Sequence, residues 1–170
     1  MSDTIYAGKM PILALRGLAV FPEQTVHFEV GRAKSAKALE AAMAAEQLML
    51  LVPQKDLLVD DPKLADLYAV GTVVRIKQIL RSQDENTRVL VTGLTRARIT
   101  ELQQSEPYFS GLVESIPCPD GPDSLRSRAL RREANSLYAE YVELSEHPAQ
   151  MIQLQMLSSN DNGFVADSIA

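Results

Sequence analysis

The stretch PCPDGPD, residues 117–123, divides the chain more sharply than any other feature. It puts three prolines and a glycine in seven residues. Regular structure is excluded there, because proline lacks a backbone donor and glycine gives up conformational order. On either side of it the apolar residues follow different periods. Before it they alternate in twos or run in short blocks, as strands do; after it they recur every three or four residues, as helices do. A chain of 170 residues written this way predicts an α+β protein. The expected parts are a small, mostly antiparallel, β-barrel-like lobe with one early helix over 11–116, a linker over 117–123 and a helical bundle segment over 124–170. Residues 1–10 are polar and are expected to be disordered.

Within the lobe, Ile12 to Val30 reads as two short strands joined by a bend, broken by Gly17 and Pro22. The run 32–47 is rich in helix formers, with Ala36, Leu39 and Met43 as its apolar stripe. LMLLVP (48–53) predicts a strand buried on both faces, and 60–71 a loop with one helical turn after Pro62. TVVRIKQIL (72–80) places Val74, Ile76 and Leu80 on one face and Arg75 and Lys77 on the other. A polar turn follows over 82–87, then strands over 88–93, 95–102 and 108–116; in the second, Ala97 and Ile99 alternate with Arg96 and Arg98.

Beyond the linker, Ser124 is the expected N-cap of a helix through Glu146. Leu130, Ala134, Leu137, Tyr141 and Leu144 form a narrow seam of the kind that packs on another helix. At about 33 Å such a helix is too long to lie wholly against a small barrel. Pro148 opens a second helix carrying Met151, Ile152 and Leu157, and Phe164, Val165 and Ile169 begin a third. That third helix has no terminator, so the sequence is expected to be a fragment of a longer protein.

Composition narrows the function. A hydrophobic share of 46% supplies a core, and a net charge of −5 with interspersed signs argues against a dedicated nucleic-acid binder. The single cysteine, Cys118, cannot form an internal disulfide, so a reducing cytoplasm is the expected compartment. Neither histidine, His27 or His147, has the motif context of a partner for a reactive thiol. The apolar opening is not an export signal: Lys9 is the only positive charge before it, Arg16 interrupts it and no small-residue cleavage site follows. No apolar run reaches the roughly 20 residues that span a bilayer.

Four stretches together resemble the N-terminal domain of Lon, the ATP-dependent protease with an AAA+ motor. They are PILALRGLAVFPEQTVHFEVGRAKS (11–35), LLVPQKD (50–56), DDPKLADLYAVGTVVRI (60–76) and RVLVTGLTRARI (88–99), in the family's order and spacing. The resemblance implies a compact, PUA-like β-barrel lobe with one helix, followed by a helical bundle that leads to the ATPase. It also implies recognition of unfolded or tagged protein substrates and assembly into a homohexamer. The full-length enzyme would use ATP and Mg and a Ser-Lys dyad. This chain has no G-x-x-x-x-G-K-[ST] phosphate loop and is expected to be non-catalytic, with no cofactor or metal of its own. Four positions depart from the family: Ala14 stands where proline is usual, Glu23 where glycine or histidine follows Phe-Pro, Ala33 where glutamate is usual, and His27 where an apolar residue or proline is more common.

Substrate recognition then calls for exposed apolar residues in loops and bends, and the candidates are Leu18, Phe21, Leu57, Leu58 and Tyr68. Assembly contacts fall to Arg32, Lys34, Leu137, Tyr141 and Leu144. Other polar groups read more simply. Arg16 is a strand-end residue that pairs locally or points to solvent, and Arg75, Lys77, Arg96 and Arg98 form the solvated face of a sheet rather than an RNA-binding stripe. Asp60 and Asp61 are a turn device rather than an acid–base pair. Glu143, Glu146 and His147 are a solvated helix end rather than a metal site. A stand-alone adaptor of the same domain family, and an RNA-binding barrel protein, are the alternatives to a protease domain.

Overall fold

The computed structural model describes residues 6–81, 87–117, 124–145 and 150–170. The chain forms two compact units, Met1–Pro117 and Cys118–Ala170. The first contains β1 (Ala7–Leu15), β2 (Thr25–Val30), α1 (Ala33–Ala44), β3 (Leu48–Pro53), a 3-10 turn at Leu64–Asp66, β4 (Val70–Arg81), β5 (Thr87–Gln104) and β6 (Phe109–Ile116). The sheet order is β2-β5-β4-β3-β1-β6, and β6 returns to pair with β5. Five strands therefore close into a ring, and β2 lies on β5 outside it. β1 and β3 run parallel and the remaining pairs antiparallel.

Alternation through β1 and β3 sorts the core into two clusters. Leu13, Leu15, Met49 and Leu51 join Ala38, Leu39 and Ala42 of α1, while Ile12, Leu50 and Val52 join Val73, Ala97 and Phe109. β3 is buried on both faces as its unbroken apolar run predicts. In α1 the buried stripe is Ala38, Leu39 and Ala42, and Met43 is exposed, because the small alanines let the helix lie close to the strands.

Four details differ from the sequence reading. β1 begins at Ala7, not at residue 11, because Ala7 to Met10 pair with β6 from Glu114 to Gly111; residues 1–5 lie outside the described residues. β1 and β2 do not pair with each other: β1 joins β3 and β6, and β2 joins β5. The strands expected at 88–93 and 95–102 are one strand, β5, whose register shifts opposite Val73/Val74. A second shift, between Ile76 and Gln78, reverses the phase of β4, so Ile79 packs on the core. Leu80, expected inside with Val74 and Ile76, is 54% exposed. The turn expected at 82–87 falls mostly outside the described residues.

The second unit holds α2 (Leu125–Leu144), α3 (Gln150–Ser158) and α4 (Asn162–Ile169). Ser124 caps α2 by accepting from the Ser127 amide, 3.1 Å away. Its core is Tyr138, Val142, Met156 and Val165, with Ile152 packed against it. The seam expected to pack on another helix is not covered within this unit: Leu130, Leu137, Tyr141 and Leu144 are exposed. Pro148 and the side chain of Met151 lie outside the described residues.

Candidate functional site

The segment following β3 is a loop held by an unusual number of donors. Gln54, 4% exposed, closes its neck by bridging to Leu67. A buried amide must find partners, and this one donates through Nε2 to the carbonyls of Asp56 and Val59 while Oε1 accepts from Arg32 Nη1 at 3.1 Å. The Val59 carbonyl also accepts from Arg16 at 3.2 Å and from Arg32 at 3.4 Å. Arg16 pairs further with Asp60 at 2.6 Å, and Lys34 reaches Asp61 at 3.1 Å and Glu106 at 2.9 Å, with its ammonium 4.9 Å over the Phe109 ring. Asp56 accepts from the Leu58 amide at 2.8 Å. On this braced backbone Leu58 is 88% and Leu57 52% exposed.

The electrostatics follow from these contacts. The hydrogen bond from Arg16 holds the Asp60 carboxyl below its ordinary range. The bond to Glu106 raises the Lys34 ammonium. Burial, reinforced by the like charge of Arg16, lowers Arg32. Two cavities flank the same residues. One, of about 340 Å³, lies between Ile12–Ala14, the start of α1, Asp60–Pro62 and Glu106–Phe109. The other, of about 310 Å³, lies between Leu13–Arg16 at the end of β1 and Phe28–Gly31 at the end of β2. Ala14 and Arg32 line both.

The sequence-derived candidates separate accordingly. Leu57, Leu58 and Tyr68 are exposed, and Tyr68 sits at the loop's neck, its amide donating to the Pro53 carbonyl at 3.1 Å. Leu18 packs against the core, and Phe21 is half-buried with the Arg96 guanidinium 5.7 Å over its ring. Arg32 and Lys34 brace the loop; Leu137, Tyr141 and Leu144 lie on the exposed face of α2. Arg16 pairs far along the chain rather than locally, and Asp60 and Asp61 anchor cations rather than merely shaping a turn. Arg75, Lys77 and Arg98 are exposed on the strands. Cys118, Glu146 and His147 lie outside the described residues, and among the described residues no group of three His, Cys, Asp or Glu side chains could hold a metal. No described helix is long and apolar enough to cross a membrane. Gln54 and Glu106 escaped the sequence reading, since nothing marks an amide after a strand, or one glutamate in a loop, as a distant partner.

Known proteins resolve the family. The chain is 36% identical over 162 residues to a Lon protease of Escherichia coli K12, 32% over 166 residues to one of Clostridioides difficile and 40% over 136 residues to one of Clostridium acetobutylicum. These matches cover 95%, 95% and 80% of the chain but only 20%, 21% and 18% of the relatives. The chain thus spans about a fifth of their length. In fold it matches the N-terminal domain of Mycobacterium avium complex Lon protease, with a TM-score of 0.73, 23% identity and coverage of 95% of this chain and 81% of that one. It also matches a Lon N-terminal domain protein from Xanthomonas campestris, with a TM-score of 0.50, 18% identity and coverage of 95% and 96%. The model of the ATP-dependent protease La (LON) substrate-binding domain matches residues 9–170, and the chain belongs to that family.

Proposed function

We propose that the chain is the substrate-recognition and assembly region of an ATP-dependent, cytoplasmic Lon-type protease that degrades misfolded and short-lived regulatory proteins. The observation that carries recognition is the Leu57–Leu58 pair, exposed on a loop whose backbone is fixed from several sides. Single exposed leucines are ordinary. Two adjacent ones on a braced loop, with Tyr68 at its neck, are a prepared apolar contact that loses little entropy on binding. Folded proteins hide their apolar side chains and unfolded ones offer them, so such a contact selects for unfolding. One site binds weakly, and several copies in an assembly gain by avidity. The exposed seam of α2, with Leu137, Tyr141 and Leu144, supplies the assembly surface; Arg32 and Lys34 contribute by holding the recognition loop. Peptide cleavage, ATP and magnesium belong to regions of the enzyme outside these 170 residues.

The test is fluorescence anisotropy with a labelled, reduced and carboxymethylated protein that cannot refold. Wild-type chain should bind it and ignore the folded parent. Replacing both leucines by serine should weaken binding about tenfold, or about 1.4 kcal/mol, the effect of losing two partly buried apolar contacts that together amount to about one fully buried side chain. Equal binding by the double variant would remove the loop from the recognition surface.

A further inference from the structure

Beyond Ile12 the edge of β1 that carries β6 has no partner strand among the described residues, which leaves it open at Ala14. The Gln54 amide donates to the Leu15 carbonyl at 2.8 Å, which fixes the phase of the parallel β1–β3 ladder. Leu13 and Leu15 turn their backbone groups toward β3, and because alternate residues of a strand face opposite edges, Ile12 and Ala14 turn theirs away. Ile12 meets Phe109 of β6 on that side, and the pairing with β6 ends there. Ala14, two residues on, aims its N–H and C=O past the end of β6, where it lines both cavities.

A second strand edge borders the smaller of these two cavities. β2 ends the sheet order, paired with β5 alone among the described strands. The Gly93 amide donates to the Gln24 carbonyl at 2.8 Å, so by the same alternation Thr25, His27 and Glu29 turn their backbone groups away from β5. Glu29 lines the cavity of about 310 Å³ that Ala14 also lines. Leu18 and Phe28, both half-buried, give that cavity an apolar side, and Arg16 and Arg32 stand at its rim. Arg32 donates to Gln54 and to the Val59 carbonyl and makes no ion pair among the described residues; its guanidinium at the rim is therefore complementary to an added carboxylate. Leu57 lies within van der Waals reach of Gly17, 3.8 Å from where a Cβ would stand there, which brings the exposed leucine pair to the same rim.

We propose that this cavity takes a short extended segment of an unfolded polypeptide as an added strand on β1. The segment's backbone accepts from the Ala14 N–H and donates to the Ala14 C=O. An apolar side chain lodges against Leu18 and Phe28, and an acidic one sits at Arg32. The inference rests on the client-binding reading above and deepens it. Main-chain recognition selects for a chain that is extended, whatever its sequence, and the side pockets grade the affinity. A folded protein keeps its strand edges paired or guarded and is refused.

Ala14→Pro tests the donor directly. It removes the N–H at the open edge, leaves the backbone groups of Leu13 and Leu15 on β3, and proline suits an edge position. The probe is a labelled, unstructured ten-residue apolar peptide with one aspartate, used alongside two versions N-methylated at odd or at even amides. The expected result is at least fivefold weaker binding by A14P with an unchanged unfolding midpoint, and loss of binding by one methylated version but not the other. Binding of A14P and of both methylated peptides at the parent level overturns the added strand while leaving client binding by the leucine loop intact. Failure of the parent peptide and of the carboxymethylated protein to bind the wild-type chain overturns both readings. If A14P does not fold, the methylated peptides on the wild-type chain decide alone.

Discussion

Glu23 shows what one residue can cost. The Gln24 amide donates to the Phe21 carbonyl at 3.3 Å, closing a turn with Pro22 second and Glu23 third. The Glu23 amide donates to the Gly93 carbonyl at 3.0 Å, and the Gly93 amide returns to Gln24. This is a type II turn running into a bulge at the entry to β2, where Glu23 and Gln24 together oppose Gly93 of β5, and its third position needs positive φ; Glu23 has φ 64. A side chain in that region costs about 1–2 kcal/mol, while glycine adds back about 0.5–1 kcal/mol in chain entropy. Glu23→Gly is therefore expected to stabilise the β-rich unit by roughly 0.5 kcal/mol or a little more, read as a higher urea midpoint at unchanged slope; a lower midpoint would refute the turn assignment. Gly93 is the converse case. A Cβ there would stand 2.1 Å from the Phe21 carbonyl oxygen, and neither backbone can yield cheaply, so Gly93→Ala should destabilise by more than about 2 kcal/mol in the same measurement. The sequence shows Gly93 only as a break between two strands. Its actual constraint is a close approach by a turn far away in the chain, and that leaves no local trace.

At the scale of elements, what was legible is what apolar spacing controls. β3 declares itself by an unbroken apolar run and α2 by its cap and period. Illegible were the events that change phase: the shift at Ile76/Gln78 that turns Leu80 outward, and the return of β6 to β5 that closes the ring. Both depend on partner strands rather than on the strand's own sequence. The recognition loop divides in the same way. Its leucines stand out in a polar run, whereas its brace joins Arg16, Arg32, Lys34, Gln54 and Glu106 from separate elements. Gln54→Ala tests the brace: it strips one donor from Val59 and the acceptor from Arg32, and should cost about 1–3 kcal/mol. Amide exchange across 55–61, followed by mass spectrometry, should accelerate while that of β3 and β4 changes less. The pH dependence has a defined sign. The folded Asp60 carboxyl is held low, so its contribution is present above the ordinary value of 3.8 and is lost as pH falls through its lower folded value. The Lys34 ammonium is held high, so its contribution is present below 10.5 and is lost as pH rises through its folded value. Loop protection, corrected for intrinsic exchange, should therefore be flat between about pH 4 and 10, and fall off only below 3.8 and above 10.5.

On the scale of the whole molecule, the helical unit buries one stripe of α2 and exposes another. Tyr138 and Val142 are inside, while Leu130, Leu137, Tyr141 and Leu144 are 56 to 80% exposed. The two stripes are neighbours on the helix, about 100° apart, and both have helical spacing, so periodicity alone could not tell which one the other helices would take. The charges along α2 are also sorted. Arg126, Arg128, Arg131 and Arg132 occupy its first half, and Glu133, Glu140 and Glu143 lie after them. This opposes the helix dipole, which favours acids at the start and bases at the end. An antiparallel partner helix would lay acid against base and cover the leucines in one step, as two copies of this chain meeting on a twofold axis would do. Concentration-dependent self-association is therefore expected through α2, read by sedimentation velocity. Replacing Leu137 and Leu144 by glutamate should shift the chain to monomer without lowering the stability of the helical unit, since neither side chain is in its core. Val142→Ala should do the reverse, costing about 1–3 kcal/mol by opening a cavity beside Tyr138 and Met156 while leaving the seam in place. Monomeric behaviour of the wild-type chain at high concentration, or a dimer indifferent to both glutamates, would take the seam out of assembly.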